Sequence, residues 1–151
     1  MIRKARIVDI IEIQKMLRDY ASSGKLLARS LSELYTNVRD MMVFLDQDQV
    51  VGCCSLHIVW ENLAEIRSLA VAQSHQGRGV GRNLVESCID EARELGIGRL
   101  FTLTYEVDFF GQLGFRPVDK NMFPQKVWAD CIHCPKFPNC DEAALVLDLP
   151  E

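Results

Sequence analysis

No run of about 18 apolar residues, the length a bilayer-spanning helix needs, occurs anywhere in the 151-residue chain. The opening stretch "MIRKARIVDIIEIQK" carries charge too often to be the apolar core of a secretory signal. Positive charge is scarce as well. Lys and Arg number 17 against 21 Asp and Glu, a net charge of −4, so no excess favours a phosphate polymer as partner. Internal repeats, linkers and low-complexity tracts are missing too. A composition of 48% hydrophobic and 25% charged residues is that of an ordinary globular chain rather than a disordered one. These absences lead to the expectation of a soluble, cytoplasmic protein. Nucleic acid and membrane are excluded as partners, and residues 1–151 form one domain around one core.

What is present reads as alternating strands and helices. "IRKARIV" is a short strand. Asp9 and Glu12 make a capping-box pattern, and Ile10, Ile13, Met16, Leu17 and Tyr20 recur at helical spacing. A second helix starts near Ser30, with Glu33 at the capping-box offset. Two β-rich runs flank the polar "DQDQ" as a hairpin, and "AEIRSLAV" follows a tight turn at Glu61 and Asn62. Leu84, Val85, Cys88, Ile89, Ala92 and Leu95 form the apolar face of a helix that Gly96 stops. "RLFTLTY", "VDFFGQL", "GFRPV" and "EAALVLDL" supply a strand, a short helix and two further strands. The order β-α-α-β-β-β-α-β-α-β-β combines a hairpin with a β-α-β crossover, so the sheet must be mixed.

The stretch "SHQGRGVGRNL", Ser74 to Leu84, places three glycines in five positions before a helix. A dinucleotide fingerprint needs its third glycine at position 82, which is Arg82. A P-loop needs a closing Gly-Lys-Ser/Thr, which is lacking. Glycine spacing alone also suits a plain strand-to-helix turn. The wider pattern is more informative: Gln76-Gly77-Arg78-Gly79-Val80-Gly81 follows "EIRSLAV" directly and opens a strong helix. Consecutive N–H groups at a helix N-terminus make a cradle for a pyrophosphate.

In these residues the chain resembles the GNAT superfamily of N-acetyltransferases, whose signature here is Gln/Arg-x-x-Gly-x-Gly/Ala. "FFGQLGF", Phe109 to Phe115, is similar to a second landmark, and the element order agrees nearly end to end. The resemblance implies an α/β (α+β) fold. Its central sheet would be mixed, mostly antiparallel, with six to seven strands and about four flanking helices. It also implies acetyl-CoA as co-substrate. Backbone N–H groups from Gly77 to Arg82, in the motif that Gln76 opens, would hold the pyrophosphate. Leu69, Ala70 and Val71 would pair their backbone with the pantetheine arm, and an N–H near Leu69 or Ala70 would polarise the thioester carbonyl. Glu65 stands where several members carry a catalytic base, acting directly or through water; a solvated carboxylate at a strand start is the alternative. Many members place a tyrosine acid at the position of Phe110, so that acid is absent here. Tyr105 is the substitute, against a merely packed or surface tyrosine. A thiol of pKa ~8.5 leaves readily even without an acid.

"SGKLLARSLSELY" and "EIRSLAV…GRGVGRNLVE" together resemble the amino-acid acetyltransferases that make N-acetylglutamate for arginine synthesis. The segment "KVWADCIHCPKFPNCDEAALVLDL" is similar to short, stand-alone members of that group. Larger members carry an amino-acid-kinase-like domain ahead of the transferase. These 151 residues do not include one, so arginine feedback through such a domain is not expected. L-Glutamate would need partners for two carboxylates, and the candidates are Arg29, Arg67 and Lys126. Arg67 alternates with Glu65, so both point to one face of their strand. Another small amine, a protein N-terminus, or acyl-CoA sensing without catalysis are the other readings, and a homodimer is compatible with all of them.

Six cysteines fall into two groups. Cys53, Cys54 and Cys88 sit in apolar segments as small buried hydrophobes. Cys131-x2-Cys134-x5-Cys140 lies in a loop at about residues 119–142 and has metal-like spacing. Tetrahedral zinc needs a fourth ligand, for which His133 and Asp141 are nearby. A structural zinc, reduced thiols and a redox disulfide all fit these three sulfurs. A metal there would pin the loop without taking part in acyl transfer.

Overall fold

The computed structural model describes residues 1–22, 29–123 and 142–150. Its elements follow the order read from the sequence: β1 (Ile2–Lys4), α1 (Ile10–Ser22), α2 (Leu31–Thr36), β2 (Met41–Asp46), β3 (Gln49–Trp60) and β4 (Leu63–Val71). Then come α3 (Val80–Leu95), β5 (Arg99–Thr104), α4 (Val107–Gln112), β6 (Arg116–Val118) and β7 (Ala143–Asp148). The seven strands make one sheet in the order β1-β2-β3-β4-β5-β7-β6. Only β4 and β5 run parallel; every other pair is antiparallel. The expected α/β, mixed and mostly antiparallel architecture is the observed one.

Local chemistry explains most boundaries. The hairpin between β2 and β3 turns on Gln47 and Asp48, both with positive φ (50° and 65°), as a two-residue turn matched to strand twist requires. Ser30 caps α2: its hydroxyl accepts from the Glu33 N–H at 3.1 Å, while Glu33 reaches back to the Ser30 N–H. Asp9 behaves differently from the expected N-cap. A 3-10 turn, Ile7–Asp9, precedes α1, and Asp9 accepts from the Arg6 N–H at 2.7 Å while pairing with Arg3 at 2.7 Å. The Arg3 guanidinium, with the Arg6 N–H, holds this carboxyl below its usual range against the opposing effect of burial.

The sheet carries a core on each face. On one, α3 packs Val80, Leu84, Val85, Cys88, Ile89 and Ala92 against Leu56, Ala64, Ile66, Leu100 and Leu145. Burying a side chain such as Leu84 or Ile89 is worth ~1.5–3 kcal/mol. Leu95, expected on that face, lies at the last turn of α3 and is 54% exposed. On the other face, Ile10, Ile13 and Leu17 of α1 meet Leu34, Met41, Val43, Cys53 and Ala70. Cys53, Cys54 and Cys88 are buried free thiols. Burial pushes Cys53 up to about 12, so it behaves as an apolar residue.

Two irregularities in β4 shape the molecule. Between the pairs Ser55↔Arg67 and Cys53↔Ala70, two β4 residues stand opposite one β3 residue, which is a β-bulge at Ser68 and Leu69. Ser68 takes a positive φ of 56°. The extra residue switches faces. Ala64 and Ile66 pack toward α3 before the bulge, whereas Leu69 and Val71 do so after it. The second irregularity is a parting of strands. β4 and β5 pair only at Ala64↔Leu100 and Glu65↔Phe101, and beyond that rung the sheet opens. Thr102 Oγ1 donates to the Ile66 carbonyl at 2.9 Å, satisfying a group that the divergence would orphan.

Candidate active site

The opening between β4 and β5 is where the motif residues converge. After Val71 a short turn, Gln73–His75, leads into Gln76 and the glycines. Gly77 and Gly79 take φ of 76° and 83°. A Cβ at either would meet nothing within 4 Å, so these two glycines answer a backbone requirement and not a space requirement. Gly79 is the N-cap of α3, and no side chain caps that helix. The N–H groups of Val80, Gly81 and Arg82 in the first turn therefore remain available at the positive end of a 16-residue helix. Arg78 is exposed. Arg82 is exposed too and pairs with Glu86 at 3.0 Å. His75 braces the loop, contacting Asp46 at 2.7 Å and Ser74 at 2.8 Å. These groups suit a pyrophosphate and offer it little besides backbone.

On the α1–α2 side the structure gathers charged side chains. Arg29, from just before α2, and Arg67, from β4, line one pocket with Glu33, Asn37, Ser55 and the bulge residue Ser68. Arg29 pairs with Glu33 at 3.3 Å and is 17% exposed. Arg67 lies 3.7 Å from Glu65, and both are only 13% exposed. Glu65 and Arg67 share a strand face, as alternation requires. His57 of β3 stands directly opposite Glu65, its Nδ1 2.8 Å from Asp40.

Tyr105 follows the last residue of β5 and is 39% exposed. It is four residues beyond the final paired rung, as Leu69 is on β4. Phe110 is 3% exposed, packed edge-on to Phe109 and Phe115 at 5.0 and 5.2 Å, so it belongs to the core. Lys126 and the three clustered cysteines, Cys131, Cys134 and Cys140, lie outside the described residues. Among the described residues no group of three or more His, Cys, Asp or Glu side chains could hold a metal, and no helix is long and apolar enough to cross a membrane.

Tyr20, Ser55, His57 and Ser68 were not singled out from the sequence. Tyr20 carried a signal only as one member of an apolar stripe. The other three belong to the site through strand register alone.

Residues 10–115 match the Acetyltransferase (GNAT) family. The chain belongs to that family. N-acetyl transfer from CoA is accordingly its class of chemistry, and the seven-stranded sheet with four helices is the GNAT fold. Over 148 residues the chain is 40% identical to an uncharacterised N-acetyltransferase of Chlorobaculum tepidum, covering 98% of this chain and 96% of the other. It is 37% identical over 123 residues to the amino-acid acetyltransferase of Mycobacterium tuberculosis, covering 79% and 70%. Among solved structures, N-acetylglutamate synthase of Neisseria gonorrhoeae, complexed with coenzyme A and N-acetyl-glutamate, superposes with a TM-score of 0.88 at 27% identity. That match covers all of this chain and 35% of the other; this GNAT chain spans about a third of that synthase.

Proposed function

We propose that this GNAT protein is a cytoplasmic acetyl-CoA-dependent amino-acid N-acetyltransferase whose acceptor is the α-amine of L-glutamate, the first step of arginine biosynthesis. The observation that carries the proposal is the pairing of Arg29 and Arg67 in one pocket beside the β4 bulge. Two guanidiniums on one side of the opening match the two carboxylates of glutamate, each able to take a forked pair of hydrogen bonds. The relatives named amino-acid acetyltransferase and the synthase complex support the same reading.

The chemistry follows from this placement. The α3 N-terminus and the loop from Gln76 to Arg82 hold the pyrophosphate. Leu69, Ala70 and Val71 line the arm that ends in the thioester. Glu65 takes a proton from the ammonium, freeing its lone pair. The nitrogen then attacks the thioester carbonyl carbon, forming the C–N bond. A backbone N–H at the bulge stabilises the oxyanion, an effect worth a few kcal/mol in such sites. Collapse breaks the C–S bond, the thiolate leaves with its electron pair, and the nitrogen gives up its second extra proton to solvent to leave the neutral amide. Tyr105, just beyond the end of β5, is our candidate for the acid that protonates the thiolate.

The test is release of CoA thiol from acetyl-CoA, measured with each of the twenty amino acids and several polyamines against a no-acceptor blank. L-Glutamate should give the largest kcat/KM. A larger response to a monocarboxylate or a polyamine would reassign the acceptor. Acetyl-CoA binding without turnover on any amine would favour a sensor.

A further inference from the structure

Tyr20, on the last turns of α1, makes a set of contacts that neither the core nor the proposed chemistry uses. Its hydroxyl donates to the Val71 carbonyl at 2.9 Å and accepts from the Val71 N–H at 3.0 Å. The Gln76 side-chain amide donates to the same hydroxyl and to the same carbonyl, each at 3.1 Å. One donated and two accepted bonds use the hydroxyl's proton and both its lone pairs. The two residues are 51 positions apart, so this contact is a product of tertiary structure.

Val71's polar groups face away from β3. The neighbouring Ala72 N–H donates to Val51 of β3 at 2.8 Å, and successive residues of a strand alternate the direction of their N–H and C=O groups. Val71 therefore presents its pair toward the opening that β5 leaves beyond the Glu65↔Phe101 rung. Tyr20 reaches that pair, and in doing so it does what two successive secondary amides of an extended chain would do together, one through its N–H and the next through its C=O. It donates to the carbonyl and accepts from the N–H of a single strand residue.

We infer that Tyr20 is a placeholder that occupies the strand edge of the cofactor arm until the arm arrives. Its hydroxyl stands in on Val71 for the two successive amides of the pantetheine arm in the free protein, and is exchanged for the N–H of one and the C=O of the other when the arm enters. The inference rests on the acetyl-CoA reading above, and the ligand class is an extended chain bearing secondary amides. The exchange keeps Val71's N–H and C=O paired in both states, so neither is left orphaned in a half-buried groove. It also moves the Gln76 side chain, which ties arrival of the arm to the first residue of the pyrophosphate motif. Removing the hydroxyl abolishes the competition. The arm then binds without first breaking internal bonds, and affinity rises.

The full chain has three tyrosines, so 3-fluorotyrosine labelling gives three fluorine resonances. Variants Tyr35→Phe and Tyr105→Phe assign Tyr20 by elimination even if Tyr20→Phe folds poorly. Saturation with acetyl-CoA should shift the Tyr20 resonance. Saturation with 3′-phospho-ADP, which keeps the phosphates and lacks the amides, should shift it far less, through Gln76 alone. Calorimetry on Tyr20→Phe should show acetyl-CoA bound roughly three- to tenfold tighter, the worth of one ordinary hydrogen bond, with 3′-phospho-ADP affinity unchanged. An unmoved Tyr20 resonance in the acetyl-CoA complex overturns the inference, as does equal or weaker binding by Tyr20→Phe. Failure of the unaltered protein to bind acetyl-CoA at all is a different result: it removes the proposed function, and this inference with it.

Discussion

The two sides of the opening beside β4 are made of different material. Toward α3, recognition is offered by backbone: uncapped N–H groups of a helix start and two glycines at positive φ, with Arg78 and Arg82 pointing to solvent. Toward α1 and α2 it is offered by side chains from separate elements, Arg29 before α2, Ser55 on β3, Glu65 and Arg67 on β4. A backbone cradle suits a ligand part that never varies. Side chains suit one that must be told from similar amines, because a charge or hydroxyl can be gained or lost without disturbing the fold. The bulge at Ser68 shifts the alternation of β4, so that Glu65 and Arg67 before it and Ala70 after it face away from α3.

The sharpest way to break this division is Glu65→Gln. The acetyl-transfer kcat should fall by ~10²–10⁴, the usual worth of a positioned base, while calorimetric affinity for acetyl-CoA stays the same. A loss of acetyl-CoA affinity would mean that the two sides are not separate. Arg29→Ala and Arg67→Ala come next. Each should raise KM for L-glutamate by about 10–100-fold, the range for a charged hydrogen-bond pair, leaving KM for acetyl-CoA unchanged in steady-state assays.

The cofactor side is sharpened by comparing two glycines. Gly79→Ala forces an L residue into a left-handed conformation at a cost of ~1–2 kcal/mol. KM for acetyl-CoA should rise by about tenfold, with glutamate KM unaffected. Gly81→Ala should change much less, since its Cβ would meet Phe109 and Val71 at ordinary distances of 3.5 and 3.6 Å.

The smallest expected effect concerns the anchor of α1. Asp9 has its carboxyl pKa lowered by Arg3, so its contribution is present above the unfolded value of ~3.9 and lost as pH falls through the depressed native value. Asp9→Asn should therefore lower Tm by a few degrees at neutral pH, about 1 kcal/mol for a chain of this size. By calorimetry the two proteins should converge once the pH falls below the depressed native value.

Much of this was legible in one dimension because it depends on neighbours in sequence. Helix caps, the Gln47–Asp48 turn, the apolar stripe of α3 and the glycine loop are all set within a few residues. What was misread or missed depends on contacts outside the local pattern. Asp9 fits an N-cap locally, but Arg3 and the Arg6 N–H draw it to a different position. Tyr20 fits the α1 stripe, yet its hydroxyl serves Val71. His57 gave no periodic signal, and only the β3–β4 register sets it beside Glu65.

By itself, then, the sequence determined the element order, the family and the glycine loop that opens α3, since backbone conformation near a glycine or a cap is decided by short-range sterics and hydrogen bonds. Tertiary structure alone decided which charges meet. One inserted residue at Ser68 changes the face of everything after it, and the parting of β4 from β5 after Glu65 depends on packing across the whole sheet. Neither the pairing of Arg29 with Arg67 nor the seating of Tyr20 on Val71 has a local cause. Both depend on how α1 and α2 pack on the sheet, which is fixed only when the two cores close.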